Sequence, residues 1–271
     1  MDVSEIFDRH LRRLRRDRAA RGYEPFLRDV MLDGIAERLG AVTRRFSDVL
    51  DLGSADGGFT LPGATITRCD AGAIFARGGI QADEDRLPFA PASFDLVVSA
   101  GVLDSVNDLP GALTLVRRAL RPDGLFLGAF LGGGSLATLR AVLREAEPAV
   151  TRLHPQVDVR AAGDLLVRAG LSLPVADIET LTVRYASLFR LFADLRGTAT
   201  TNLLHARVPL TRATLARAAD AFAARADPDG RTAETFAIVF VTGWAPDPSQ
   251  PKPARRGSAT ASLAAALDKR F

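Results

Sequence analysis

Residues 48–58 read Asp48-Val49-Leu50-Asp51-Leu52-Gly53-Ser54-Ala55-Asp56-Gly57-Gly58, an apolar run that ends in a glycine-rich loop. Gly53 allows the chain to turn sharply, and the small residues after it allow a ligand to approach the backbone. In open α/β sheets, ligands lie beyond the carboxyl ends of the strands, where the strand order reverses. This stretch therefore predicts the first strand of such a sheet, followed by a ligand-binding loop.

Outward from this stretch, short apolar runs alternate with segments of helical periodicity, which predicts βαβ units and a parallel sheet. We expect seven strands, of which the last is antiparallel to its neighbours. The predicted strands are 48–52, 65–69, 79–82, 94–99, 125–130, 177–185 and 235–242, with a turn at 121–124. The predicted helices are 3–21, 25–39, 110–120, 135–147, 161–169, 187–196 and 211–225.

These elements predict three parts of the chain. Residues 1–45 form an N-terminal helical segment, and residues 46–245 form an α/β domain with a small helical lid within about 186–230. Residues 246–271 are rich in proline, serine and basic side chains, which is typical of a flexible tail.

The composition is that of an ordinary globular protein, with 47% hydrophobic and 25% charged residues in a chain of 271. No run of 18 apolar residues occurs, so no transmembrane segment is predicted. The single cysteine, Cys69, cannot form an internal disulfide. This favours a reducing compartment, and we expect a cytoplasmic location.

Seven arginines crowd the first helix between Arg9 and Arg21. Phe7, Leu11 and Leu14 fall on one helical stripe, which predicts an amphipathic surface helix with a solvated basic face. The alternative is an arm that docks on an acidic protein or makes peripheral contact with an anionic lipid surface. Nucleic acid is not expected as a partner, since no aromatic residues interleave with the arginines. In either case, deleting residues 1–21 should leave the melting temperature within a few degrees.

The end of the second predicted strand carries an acid, Asp70, where a carboxylate can accept hydrogen bonds from both hydroxyls of a ribose. The histidines, His10, His154 and His205, are scattered and form no pair with metal-ligand spacing, so we predict no metal site.

Two further motifs are Gln81-Ala82-Asp83-Glu84-Asp85-Arg86-Leu87-Pro88-Phe89 and Ser93-Phe94-Asp95-Leu96-Val97-Val98-Ser99. With the loop and Asp70, they resemble the class I S-adenosylmethionine-dependent methyltransferases. The resemblance implies a Rossmann-like seven-stranded methyltransferase fold, S-adenosylmethionine as cofactor, and Asp83 at the adenine amino group. The cofactor-binding residues that it implies are Asp51, Gly53, Ser54, Ala55, Gly57, Asp70, Asp83, Glu84, and the strand-end residues Ser99, Ala100 and Gly101.

A narrower resemblance covers nearly the whole chain, in Ile6-Phe7-Asp8-Arg9, Val106-Asn107-Asp108-Leu109-Pro110, Arg121-Pro122-Asp123-Gly124 and Arg256-Gly257-Ser258-Ala259-Thr260. These motifs are similar to the methyltransferase-like assembly factors of respiratory complex I and their bacterial relatives. The mitochondrial member is an arginine hydroxylase acting on a complex I subunit, which implies a protein substrate. The biotin-pathway malonyl-carrier methyltransferases are more distant relatives.

Three departures from the family pattern predict weak cofactor binding. Ala55 replaces the middle glycine of the loop, and the crossover from Gly53 to Ala64 leaves room for about one helical turn. After the fourth strand stands Leu103-Asp104-Ser105, where relatives typically carry a His-Trp pair. We expect Ala55→Gly to tighten cofactor binding.

Three functions remain open from the sequence. The first is methyl transfer from S-adenosylmethionine to an unknown acceptor, which depends on positioning and needs no dedicated base. The second is a complex I assembly factor that modifies an arginine of a protein subunit or chaperones that subunit. The third is a binding module that kept the fold and lost the chemistry, since fold alone does not determine function.

Overall fold

A computed structural model describes residues 5–251 of the chain. The strands are β1 Asp48–Leu52, β2 Thr65–Asp70, β3 Ile80–Gln81, β4 Phe94–Ala100, β5 Leu120–Leu131, β6 Ser172–Tyr185 and β7 Thr232–Trp244. The helices are α1 Arg9–Ala19, α2 Phe26–Gly40, α3 Leu109–Ala119, α4 Ala137–Ala146, α5 Val159–Arg168, α6 Leu188–Gly197 and α7 Arg212–Ala223, and a short 3₁₀ turn spans Leu103–Ser105.

Within residues 5–251, seven strands form one sheet in the order β3-β2-β1-β4-β5-β7-β6. β1 pairs in parallel with β2 on one side and β4 on the other, so the strand order reverses at β1. β7 is antiparallel to both β5 and β6, as expected for the last strand. The Rossmann-like seven-stranded fold is therefore confirmed.

Apolar side chains cover both faces of this sheet. Neighbouring residues of β1, Val49 and Leu50, belong to two separate buried clusters because successive strand residues point to opposite faces. Helices α2, α4, α6 and α7 supply the first cluster, and α3 and α5 supply the second. The ends of the central strands are thus held on a packed, three-layer platform.

The structure departs from the sequence prediction in two connections, one at the site and one at the opposite edge of the sheet. No helix follows the glycine loop, since residues 53–64 contain only turns and extended backbone. The expected turn at 121–124 is instead part of β5, where the register with β4 shifts between Phe94 and Leu96. Asp123 has a positive φ of 60° there, so the turn is absorbed as an irregularity within the strand.

None of the helices within residues 5–251 is long and apolar enough to cross a membrane. The tail motif at 256–260 lies outside the described residues. Cys69 is fully buried in β2, and burial raises the pKa of its thiol to about 12. This cysteine is therefore part of the core.

Candidate functional site

The glycine loop folds back against the end of β2. Gly53 has a φ of +79°, and a β-carbon there would lie 2.5 Å from the methyl carbons of Val102, so the position requires glycine. The N–H groups of Gly53 and Ser54 donate to the carbonyl of Cys69, at 2.8 and 3.1 Å. The next N–H, that of Ala55, donates to Oδ2 of Asp70 at 3.1 Å.

Asp70 is fully buried at the end of β2 and accepts a bidentate pair of hydrogen bonds from Arg16, at 2.7 Å from Nε and 2.5 Å from Nη2. The N–H of Gly72 donates to the same carboxylate at 2.8 Å. Burial acts to raise the pKa of Asp70, but the charge and hydrogen bonds of Arg16 and the two backbone donors outweigh it and lower the pKa overall. The carboxylate is therefore held in its charged form.

The acids that follow β3 have the same kind of partner. Arg12 makes a bidentate pair with Glu84, at 2.6 and 2.9 Å, and both side chains are almost completely buried. Arg13 donates to Asp83 at 2.6 Å. The third acid in the row, Asp85, is paired with Arg9 at 2.6 and 2.7 Å.

All four of these arginines lie on α1, at spacings of three and four residues that place them on one face of the helix. Arg12 and Arg16 are only 5% and 7% exposed, whereas Leu14 is 40% exposed. The expectation of a solvated basic face is therefore wrong for these arginines, and the expected apolar stripe holds for the buried Phe7 but not for Leu14. The arginine face points inward because a row of strand-end carboxylates attracts it.

A second buried pair lies under the glycine loop. Arg28, from α2, donates through Nη2 to both oxygens of Asp51, at 2.9 and 3.2 Å. Burial is the largest influence on Asp51 and raises the pKa of its carboxyl, while Arg28 acts in the opposite direction. Nε and Nη1 of Arg28 are buried without a hydrogen-bond partner in residues 5–251, as are the hydroxyls of Ser54 and Ser99.

Little space remains between these groups. A cavity of about 20 Å³ lies between Arg16, Arg28, Ala55, Ala100 and Gly101. Such a volume holds roughly one water molecule and is far smaller than a nucleoside. The site is therefore closed by the guanidinium groups that pair with its acids.

The structure brings most of the sequence-predicted residues together at the ends of β1, β2 and β4. Asp83 and Glu84 lie beside them under α1, held by Arg13 and Arg12. Gly57 is further out, where a β-carbon would lie 2.8 Å from Nε of Arg68. The residues gathered at the strand ends are Asp51, Gly53, Ser54, Ala55, Asp70, Ser99, Ala100 and Gly101.

The donor set fits S-adenosylmethionine once the arginines withdraw. A guanidinium and a ribose diol each offer two adjacent donors to one carboxylate, so Arg16 satisfies Asp70 as the diol would. Nε of Arg28 and the hydroxyls of Ser54 and Ser99 are polar atoms that a bound ligand would satisfy, whereas Nη1 of Arg28 already lies 3.6 Å from Oδ1 of Asp56.

Sequence reasoning missed the arginines of α1 and α2 as members of the site. The signal was present, since arginines at 9, 12, 13 and 16 repeat with helical periodicity. It could not be read alone, because a row of arginines on a helix is equally consistent with a solvated face. Whether the arginine face is buried or solvated depends on which acids the fold places opposite the helix.

Asp104 lies at the edge of the small cavity and also lines a larger one between α1, α4 and α6. Burial raises the pKa of its carboxyl to about 6, and the nearby charge of Arg12 opposes that rise. Within residues 5–251 no cation lies within ion-pair distance of it. Asp104 therefore marks the junction between the small cavity at the strand ends and the outer cavity.

A family model described as a methyltransferase domain matches residues 50–128. The human protein named arginine-hydroxylase NDUFAF5, mitochondrial, is 36% identical over 283 residues, covering 95% of this chain and 82% of the relative. The malonyl-[acyl-carrier protein] O-methyltransferase of Laribacter hongkongensis is 30% identical, covering 85% of this chain and 87% of the relative.

The chain belongs to this methyltransferase family. A solved structure of a putative methyltransferase from Bacillus halodurans shares the fold, with a TM-score of 0.54 at 12% identity, covering 80% of this chain and 99% of that chain. The resemblance to class I S-adenosylmethionine-dependent methyltransferases and to the NDUFAF5 group is therefore confirmed. S-adenosylmethionine is the cofactor of this class.

Proposed function

We propose that this chain is an S-adenosylmethionine-dependent methyltransferase whose cofactor exchanges with the guanidinium groups of α1. The observation that carries the proposal is the bidentate pairing of Arg16 with Asp70, because it shows a strand-end carboxylate shaped for two adjacent donors. Arg12 and Glu84 repeat the arrangement beside it. The arginines keep these buried acids compensated until the cofactor provides its own donors.

Different residues of the site suit different parts of the cofactor. Asp70 suits the ribose hydroxyls, and Asp83 the adenine amino group. Nε and Nη1 of Arg28 make no hydrogen bond within residues 5–251 and suit the cofactor's carboxylate, for which Nη1 would exchange its ion pair with Asp56 at 3.6 Å. When bound, the cofactor supplies a methyl group on a positively charged sulfur, and transfer then requires an aligned acceptor. The junction at Asp104 is where such an acceptor would enter from the outer cavity.

Calorimetry with S-adenosylmethionine and S-adenosylhomocysteine tests the proposal. Asp70 should be tested in an Arg16→Ala background. In the native chain its carboxylate can pair either with Arg16 or with the ligand, so removing Asp70 would remove both interactions at once. In the Arg16→Ala background, adding Asp70→Ala should weaken binding more than about tenfold, since hydrogen bonds to a charged group contribute roughly 1.5–3 kcal/mol.

The matched control in that background is Asp48→Ala, at the start of β1, where the carboxylate pairs with Arg121 at 2.7 Å. It should leave affinity unchanged. If neither ligand binds the native chain or the Arg16→Ala variant, the binding-module hypothesis should replace methyl transfer.

A second function, action on an arginine of a protein subunit, is favoured by Asp104. The NDUFAF5 relatives are named arginine-hydroxylases, and a half-buried carboxylate at the cavity junction suits a guanidinium. We propose that a respiratory-complex subunit is the partner in this case, either modified or chaperoned. A peptide containing one arginine should then bind more tightly than its citrulline counterpart, and Asp104→Asn should abolish the difference. Equal binding of both peptides would count against this function.

A further inference from the structure

A cavity much larger than the one at the strand ends lies outside the cofactor site. It measures about 1300 Å³ and opens between α1, α4, α6 and the segment 200–210. This exceeds the roughly 300–1,000 Å³ of most small-molecule sites, so it can hold an elongated ligand. One part of its lining is apolar and consists of the leucines Leu131, Leu136, Leu139, Leu143 and Leu153.

The rest of the lining is strongly basic, with seven arginines against the carboxylates of Glu24, Asp104 and Asp194. Two of these arginines have acidic partners: Arg152 pairs with Glu147, and Arg207 pairs with Asp8 at 3.2 Å. The other five make no ion pair with any residue in 5–251. They are Arg15, Arg18, Arg21, Arg190 and Arg196.

Arg15 is at the centre of the basic part. Its Nη1 donates to neutral oxygens only, the hydroxyl of Thr201 at 2.6 Å and the carbonyl of Asn202 at 2.5 Å. Burial lowers the pKa of its guanidinium, and the charges of Arg207, Arg18 and Arg196 lower it further. The charges of three arginines therefore act against that of the partly buried Arg15, with only Asp8 opposing them, and a bound anion would relieve that repulsion.

We propose that this cavity binds an anionic amphiphile, a carboxylate or phosphate at the end of an aliphatic chain. The headgroup binds Arg15, Arg18 and Arg196, because guanidinium groups form bidentate hydrogen bonds with both anions. The chain packs over Leu136, Leu139 and Leu143, where it loses contact with water. An anion without a chain would leave the apolar lining uncovered, which beside the leucines includes the exposed Val208 and Leu210. A neutral chain would leave the arginines uncompensated.

This inference deepens the proposed function, because the cavity reaches Asp104 and so gives the chemical class of the methyl acceptor. In that respect it rests on the proposed function. Binding of the amphiphile itself does not, since it needs no cofactor. If the chain binds the amphiphile but never binds S-adenosylhomocysteine, the proposed ligand class stands and the proposed methyl transfer does not.

Calorimetry on the full chain without cofactor tests the ligand class, with octyl phosphate and octanoate as probes below their micelle concentrations. Inorganic phosphate and octyltrimethylammonium are the controls. We expect both anionic amphiphiles to bind and both controls to bind at least about tenfold more weakly. Tight binding of inorganic phosphate would show that the cavity takes a free anion and not an amphiphile. Equal binding of the ammonium probe would show that the arginines do not select the headgroup.

Paired variants locate the site. The double substitution Arg18→Gln and Arg196→Gln removes two arginines of the cavity that make no ion pair in the described residues, and it should weaken octyl phosphate at least about tenfold. Arg160→Gln with Arg168→Gln removes two exposed arginines of α5, which do not line the cavity, and should leave affinity unchanged. Equal effects of the two pairs would overturn the proposal.

Discussion

At the scale of single residues, the cofactor site is a set of buried carboxylates, each satisfied by an arginine. Burying an ion pair contributes little net stability, but removing one partner costs about 3–5 kcal/mol because an uncompensated charge stays behind. Arg16 and Arg12 are therefore hard to remove unless something else donates to Asp70 and Glu84. A ligand with adjacent hydroxyl donors meets that condition at Asp70.

Ala55→Gly is the first prediction. Ala55 has a φ of 44°, a left-handed conformation that costs an L-residue roughly 1–2 kcal/mol and that glycine adopts freely. Its methyl group also packs in a small cluster with Ala19 of α1 and Phe75. Glycine should therefore loosen the contact with α1 and raise the affinity for S-adenosylhomocysteine several-fold. The free energy of unfolding should change by less than about 1 kcal/mol, because the relief of the left-handed conformation is offset by the entropy that the unfolded chain gains.

Calorimetry and thermal unfolding of the same Ala55→Gly preparation check both halves of this expectation. Unchanged affinity would mean that the alanine does not impair the loop.

Asp104→Asn is the second prediction, and it concerns pH. The folded-state pKa of Asp104, about 6, lies above its ordinary value, so the folded chain binds this proton more tightly than the unfolded chain does. Asp104 therefore adds stability as pH falls from 7 towards 5, and this contribution is lost as pH rises through 6.

Urea unfolding at pH 7 and pH 5 measures the contribution of Asp104. The gain on acidification should be smaller in Asp104→Asn than in the native chain, and Asp33→Asn, on the exposed side of α2, should match the native chain. An identical gain in native and Asp104→Asn proteins would show that this carboxyl does not titrate in that range.

At the scale of secondary-structure elements, the role predicted for α1 differs most from the role that the structure gives it. The sequence alone predicts a nearly unchanged melting temperature when residues 1–21 are deleted, but the structure places Arg12 and Arg16 in buried pairs. Deletion leaves Glu84 and Asp70 uncompensated, so we now expect the melting temperature to fall by more than about 5 °C.

Differential scanning fluorimetry checks the deletion. The matched control keeps the helix: Arg18→Gln with Arg21→Gln removes two exposed charges of the same segment that make no ion pair in the described residues, and should not lower the melting temperature comparably. Equal losses in the deletion and the control would show that the ion pairs are not what holds α1.

The sheet could be predicted because its strands carry local signals. The apolar run of β4 and the bounds of β1 followed from composition and turn residues, and the antiparallel last strand followed from its position. The glycine loop and Asp70 also followed, since chemistry at strand ends is local. The position of α1 could not, because it depends on carboxylates up to 76 residues away in the chain. The cytoplasmic location remains a prediction.

At the scale of the whole molecule, α1 connects two sites. One face of the helix pairs with the carboxylates of the cofactor site through Arg9, Arg12, Arg13 and Arg16. Arg15 and Arg18 line the outer cavity. Any ligand that displaces the first face must do so against the pairing free energy, which lowers its apparent affinity. The weak cofactor binding expected from the loop therefore has a second cause in this helix.

The most direct test is the affinity of S-adenosylhomocysteine for the native chain, Arg16→Ala and Arg168→Ala, measured by calorimetry below the melting temperature of each. Removing Arg16 removes the competitor for Asp70, so affinity should rise at least about tenfold, as expected for charge-assisted hydrogen bonds of roughly 1.5–3 kcal/mol. Arg168→Ala, on the exposed side of α5, should match the native chain. Affinity that stays the same or falls in Arg16→Ala would contradict the exchange of arginine for cofactor.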